Sequence, residues 1–150
     1  LKDLLSNRQR EGERLAEMVT TRLTAIGEQV NTVRAILPDI MEAFKTRLES
    51  RLSELKESMD PGRLEQEVII FANKSDVAEE LDRLDSHIME TRHALSSDKP
   101  VGRRLDFLMQ EMNREANTLG SKSSDIRVTN VSIELKVLIE QIREQIQNIE

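Results

Sequence analysis

The sequence predicts an all-α protein: a long antiparallel helical hairpin followed by a small helical bundle with a coiled-coil-like last helix. Apolar residues recur every three or four positions along most of the 150 residues, which is the period of an amphipathic helix. Charged residues make up 33% of the chain and aromatic residues 2%, a balance that argues against β-sandwiches and barrels. Five glycines and three prolines supply few turns, so we expect few, long helices.

Residues 1–60 carry two apolar stripes that are separated by Pro38. Proline lacks the amide hydrogen and disfavours helical geometry in the residue before it, so we expect the first helix to end at Leu37. A second helix is expected from about Asp39 to Ser58, and a turn at residues 60–62. The two helices would form a hairpin or arm over residues 1–60. The first stripe consists of Leu15, Val19, Leu23, Ile26, Val30, Val33 and Leu37.

The apolar spacing within residues 61–150 predicts further helices. They are expected to begin at about Pro61, to span residues 76–95 and about 101–119, and to resume at residue 125. The stretch 96–100 is the clearest loop, and Gly120 is expected just beyond a helix, where glycine commonly caps the C-terminus. The last helix has apolar residues at nearly the spacing of a coiled-coil seam. These residues are Val131, Leu135, Leu138, Ile142, Ile146 and Ile149.

Composition also limits the function. The absence of cysteine excludes disulfides, cysteine-zinc sites and thiol nucleophiles from this sequence. No apolar run approaches the ~18 residues that span a bilayer, and no signal peptide is visible, so we expect a cytoplasmic protein without membrane contact. The net charge of −6 gives no overall basic surface for nucleic acid. Because the chain begins at Leu1 within a helical pattern, we expect a fragment of a longer protein.

The helix over residues 76–93 is strongly acidic, with six carboxylates and two arginines. Asp76, Glu80, Arg83 and His87 share one strip beside its apolar face. Carboxylate and imidazole ligands suit Mn²⁺ or Zn²⁺, so this strip predicts a divalent cation site. The alternative is a solvated acidic face with ion pairs between successive turns, and spacing alone leaves both open.

The next helix is locally basic, since residues 99–127 contain six basic and four acidic residues. Arg104 and Arg114 can bind phosphates with two hydrogen bonds each. Glu111 and Glu115, four residues apart, can face the acids of the preceding helix across a cleft. Lys122 lies in a Gly-Ser-Lys-Ser run that offers a weak anion site. An ordinary polar helix face with internal ion pairs stays the alternative.

Two runs of these helices carry a family resemblance. The signatures of the YicC/YloC family of bacterial endoribonucleases resemble SDVAEELDRLDSH at residues 75–87 and VGRRLDFLMQEMNREANTLGSK at residues 101–122. The end of the chain, IREQIQNIE, is similar to the end of that family. The resemblance implies that the chain is a C-terminal half, without an N-terminal domain that contains β-structure. It also implies a homo-oligomeric ring, a hexamer, that cleaves RNA with Mn²⁺, or with Mg²⁺ as the alternative.

The resemblance also suggests roles for individual residues. Asp82 and Asp85 depart from the family pattern and are weaker candidates. A non-catalytic hypothesis stays open, in which the chain is an RNA-binding and oligomerisation module, or an adaptor that assists another ribonuclease. Expected as metal ligands or general base are Glu80, His87, Glu111 and Glu115; expected as phosphate-binding residues are Arg83, Arg104, Arg114 and Lys122.

Overall fold

The computed structural model of the chain describes residues 2–58, 62, 65–67, 69, 77–97, 102–123 and 125–149, and within them it is helical without strands. The predicted all-α class is therefore confirmed. The main helices are α1 (Lys2–Ser58), α2 (Val77–Leu95), α3 (Gly102–Lys122) and α4 (Ile126–Ile149). Residues 62, 65–67 and 69 are helical as well. In the predicted turn at 60–62, residues 60 and 61 lie outside the described part of the chain, and Gly62 is helical.

The four helices form an antiparallel bundle in which each helix packs against two others: α1 and α3 each contact both α2 and α4. Side-chain contacts join α1 to both of its neighbours. Arg34 of α1 meets Asp82 and Asp85 near the start of α2, and Arg22 donates to Gln141 near the end of α4. Short connections between α2, α3 and α4 favour this arrangement, because they return the chain directly along its neighbour.

A single apolar core lies between the four helices. From α1 it takes Val19, Leu23, Ile26, Val30 and Val33, all of them members of the predicted stripe and fully buried. The predicted seam of α4 is also buried where its side chains are described, from Val131 to Ile146. Each fully buried Leu, Ile or Val stabilises the fold by about 1.5–3 kcal/mol, so this core supplies the main attraction between the helices.

The expectation that the first helix ends before Pro38 is wrong, because α1 continues through Pro38 to Ser58. A proline inside a helix removes one backbone hydrogen bond and its ring clashes with the carbonyl four residues earlier, which together cost about 3 kcal/mol. Apolar contacts on both sides offset this cost: Leu37 and Ile40 pack against the core while Pro38 is exposed. The two predicted helices of the arm are thus one helix of 57 residues, about 86 Å long at ~1.5 Å per residue.

The ends of α1 extend beyond the bundle. Residues 9–14 are exposed. Farther along, Arg51 forms an ion pair with Glu67, so the C-terminal part of α1 has a neighbour in the helical residues that follow it. This part of α1 therefore has a described contact with a residue beyond position 60. The predicted division of the chain at residue 60 stays a prediction.

Gly120 lies inside α3 rather than beyond its end, contrary to the predicted cap. A Cβ atom at Gly120 would lie 2.6 Å from Ser132 Oγ and 3.2 Å from Ser132 Cβ. The Ser132 hydroxyl is buried and donates to the carbonyl of Ala116 at 2.8 Å. Glycine is therefore required here so that α3 and α4 can approach each other closely.

Gly120→Ala should lower the free energy of unfolding by about 1–3 kcal/mol, because the added methyl group displaces Ser132 from its hydrogen bond. Gly12→Ala is the control: nothing lies within 4 Å of a Cβ at this exposed helical position. It should raise stability by about 0.5–1 kcal/mol. Urea unfolding measures both variants, and equal effects would contradict the close approach of α3 and α4.

Candidate functional site

An open cleft of about 510 Å³ lies between α2 and α3. Because the two helices are antiparallel, the strip at one-turn intervals on α2 faces a similar strip on α3. Acidic, basic and imidazole side chains alternate along the cleft, which is an arrangement suited to a cation and an anion together. The lining residues are Glu80, Arg83, His87, Glu111, Arg114, Glu115 and Thr118.

Three potential metal ligands converge in this cleft. His87, Glu111 and Glu115 each offer one ligand atom, and these atoms all lie within 4.8 Å of one another. The Nδ1 atom of His87 is buried and has no hydrogen-bond partner among the described residues. A carboxylate oxygen of Glu90 lies 4.0 Å from this nitrogen, too far for a hydrogen bond. A buried nitrogen without a partner is costly, and a cation would satisfy it.

A cluster of ion pairs lies next to the three potential ligands. Glu80 is only 2% exposed, and its Oε1 atom lies 2.9 Å from Lys122 Nζ and 3.4 Å from Arg83 Nη1. Arg83 also lies 3.7 Å from Glu115 Oε2. Two cations therefore balance two buried carboxyl groups at the contact between α2 and α3, which makes burial of the acids tolerable.

The two buried carboxyl groups titrate differently. Burial raises the pKa of Glu80, but hydrogen bonds with Glu115 and Lys122 outweigh it and hold that pKa below its usual value. Burial, the hydrogen bond with Glu80 and the negative charge of Glu80 raise the pKa of Glu115 to about 7. Near neutral pH, the Glu115 carboxyl group is therefore protonated in part of the molecules, and its O–H donates a hydrogen bond to the ionised Glu80.

The structure brings most of the predicted site residues together. Six line the cleft, namely Glu80, His87, Glu111, Glu115, Arg83 and Arg114.

Two further predicted residues lie beside the cleft. Lys122 contacts Glu80 from the end of α3, and Arg104 pairs weakly with Glu90 at 3.9 Å. Asp76, which shared the predicted acidic strip, lies outside the described residues.

Asp82, Asp85 and Arg34 form ion pairs outside the cleft. Asp82 and Asp85 both bind Arg34 of α1, with oxygen–nitrogen distances of 2.8 and 2.6 Å. These carboxylates therefore fasten α2 to α1. Sequence analysis missed Arg34, and it did not assign Thr118, which lies one turn beyond Arg114 in the cleft, to the site. The signal for Thr118 was present, because it continues the strip of Glu111 and Glu115 at helical spacing.

Residues 33–150 match the family described as "Endoribonuclease YicC-like, C-terminal". The chain belongs to this YicC-like family. It is also similar to two curated proteins named "Probable endoribonuclease YicC". It is 48% identical over 150 residues to the one from Haemophilus influenzae, covering 100% of this chain and 52% of the relative. It is 44% identical over 146 residues to the one from Clostridioides difficile, covering 95% and 50%.

The chain thus spans about half the length of the YicC relatives it matches. Among the described residues, no helix has the length and apolar character needed to cross a membrane. The family resemblance inferred from the two sequence runs is therefore confirmed by the match of the chain as a whole.

Lys122→Met should lower the free energy of unfolding by about 1–3 kcal/mol, because it leaves the buried Glu80 carboxylate without its closest cation. The matched control is Lys136→Met on α4. Lys136 is exposed and has no ion pair among the described residues, so this change should stay within about 0.5 kcal/mol of wild type. Chemical denaturation followed by circular dichroism gives both values, and equal stability of the two variants would argue against the ion pair.

Glu115→Gln should change how stability depends on pH. The folded protein holds a proton on Glu115 up to about pH 7, whereas an unfolded glutamate releases it near pH 4.5. The stability that this proton contributes is complete below the unfolded pKa and is lost as pH rises through the folded pKa. Glutamine keeps the hydrogen bond to Glu80 without titrating.

Wild type should therefore lose stability relative to Glu115→Gln between about pH 5 and pH 8. Denaturation at several pH values measures this difference. Glu134→Gln, at an exposed position on α4, shows the effect of removing a carboxylate outside the cleft. A difference between wild type and Glu115→Gln that does not vary with pH would contradict a raised pKa at Glu115.

Proposed function

We propose that the chain is the C-terminal half of a divalent-metal-dependent endoribonuclease and that the cleft between α2 and α3 is its active site. One observation carries the proposal: His87, Glu111 and Glu115 each bring one potential ligand atom to within 4.8 Å of the others, and the buried Nδ1 of His87 has no hydrogen-bond partner among the described residues. Membership in a family described as YicC-like endoribonucleases supports the reaction class.

The ligand set fits a catalytic cation. One imidazole nitrogen and two carboxylates suit Mn²⁺, and Mg²⁺ is the alternative. When bound, such an ion would stabilise the charge that develops on a phosphate and lower the pKa of a nearby hydroxyl or water. Glu80 stays a candidate ligand or base from the sequence. Its contacts with Lys122 and Arg83 also suit it to hold Glu115 and Arg83 in place.

The arginines of the cleft suit an RNA backbone. Arg83 on α2 and Arg114 on α3 lie on opposite walls of the cleft, so both can reach one phosphate from two sides. Arg104 lies nearer the start of α3 and is well exposed, where it can bind a further phosphate. Such contacts release counterions from RNA, so affinity should fall as salt is added.

A second candidate function is RNA binding and assembly without cleavage. Three aliphatic side chains at helical spacing are exposed on α4: Ile126 at 69%, Ile133 at 56% and Val137 at 45%. Exposed aliphatic stripes commonly form contacts between subunits, so a homo-oligomer, which the family resemblance expects to be a hexamer, belongs to the proposal. In this alternative the cleft only binds RNA, and catalysis needs residues of an N-terminal half.

The test is cleavage of a fluorescent single-stranded RNA in Mn²⁺ and in EDTA, by this chain and by a full-length protein that carries it. His87→Ala and Glu115→Gln should each reduce metal-dependent cleavage at least about 100-fold, because each removes a group at the reacting centre. His93→Ala is the matched control, since His93 lies exposed near the end of α2.

Cleavage that resists EDTA, or that survives both cleft variants, would contradict the proposed site. Metal-dependent cleavage by the longer protein alone, still lost on His87→Ala, would keep the cleft as active site and show that it needs the other half. RNA binding without cleavage by either protein would favour the adaptor, and light scattering on the same samples reports the oligomer.

A further inference from the structure

The outward face of α3 forms a ridge opposite its buried face. Residues at helical spacing all point away from the core along this ridge, and all of them are exposed. We call this surface the α3 ridge; it consists of Arg103, Phe107, Gln110, Arg114, Asn117 and Ser121. Arg114 also lines the cleft, so the ridge and the candidate active site are continuous.

Phe107 is the unusual member of this ridge. Its side chain is 57% exposed, whereas Phe44 is only 7% exposed. Single exposed apolar residues are common on protein surfaces, so exposure alone assigns no role. The surroundings carry the argument, because every other member of the α3 ridge is polar or basic. A contact with an apolar protein surface would leave these polar groups poorly paired.

The positive charge of the α3 ridge comes from its two arginines. Neither Arg103 nor Arg114 has an ion pair in the part of the chain that the structure describes, although the chain carries 28 acidic residues and 22 basic ones. The first turn of α3 also lacks an acidic residue, so Arg103 lies at the positive end of the helix dipole. This position is unfavourable for a cation and favourable for an anion that binds there.

We propose that the α3 ridge is a subsite for single-stranded RNA in which Phe107 stacks on a base while Arg103 and Arg114 bind the flanking phosphates. The inference rests on the proposed function, since it names the path by which RNA reaches the cleft. Arg103 and Arg114 are eleven residues apart, about 16 Å along the helix, which a few nucleotides can span. Aromatic stacking between basic side chains is the general pattern of binding to single strands.

The test measures binding by fluorescence anisotropy in EDTA, with a single-stranded oligoadenylate and with an abasic oligonucleotide of the same length and charge. Phe107→Ala should weaken oligoadenylate binding about 5- to 100-fold, the range expected for one base–aromatic stack, and leave abasic binding unchanged. Phe107→Trp should preserve oligoadenylate binding, and Phe107→Leu should not. Met89→Ala, at a 71% exposed position on α2, is the control and should match wild type.

Arg103→Gln should weaken the binding of both oligonucleotides by a similar factor, and it should reduce the salt dependence of binding by about one charge. The inference would be overturned if wild type and Phe107→Ala bound oligoadenylate equally well. It would also be overturned if Phe107→Ala lost the same affinity for oligoadenylate and for the abasic oligonucleotide. A change in oligomer mass on Phe107→Ala would overturn it too, because it would assign the side chain to a subunit contact. Binding in EDTA is separate from metal-dependent cleavage, so failure of one proposal is distinguishable from failure of the other.

Discussion

The cleft depends on two carboxyl groups that face each other in the contact between α2 and α3. Glu80 and Glu115 are both buried, and neighbouring buried carboxylates repel each other unless a proton or a cation lies between or beside them. Lys122 and Arg83 provide positive charge on the protein side. The proton held by Glu115 further reduces the repulsion between the two carboxyl groups. If the proposed cation binds here, it would displace this proton.

The fold was largely predictable because its core follows a simple period. The stripe from Val19 to Val33 and the seam from Val131 to Ile146 are both buried as spacing predicts. Pro38 was misjudged because local backbone preference was weighed without tertiary contacts. Leu37 and Ile40 pack against the bundle on either side of it, which offsets the lost hydrogen bond. Gly120 was misjudged similarly, since the need for glycine comes from Ser132 on another helix.

The site was predictable within each helix and not between helices. Spacing placed Glu80 and His87 on one strip, and Glu111 and Glu115 on another, and the antiparallel packing then brought the two strips together. The partner of a charge was not visible in the sequence. Lys122 pairs with a glutamate 42 residues earlier, and Asp82 with an arginine 48 residues earlier. Phe107 stood out only when the buried face of α3 was known.

The central claim is that His87, Glu111 and Glu115 hold a divalent cation. The most direct measurement is nuclear magnetic resonance of the isotope-labelled protein during addition of substoichiometric Mn²⁺, whose unpaired electrons broaden nearby signals. The account predicts that the His87 ring and the backbone amides near residues 87, 111 and 115 broaden first, and that His87→Ala removes this selectivity. Broadening that begins at exposed carboxylates outside the cleft, such as Glu11 and Glu13 of α1, with the His87 ring unaffected, would contradict it.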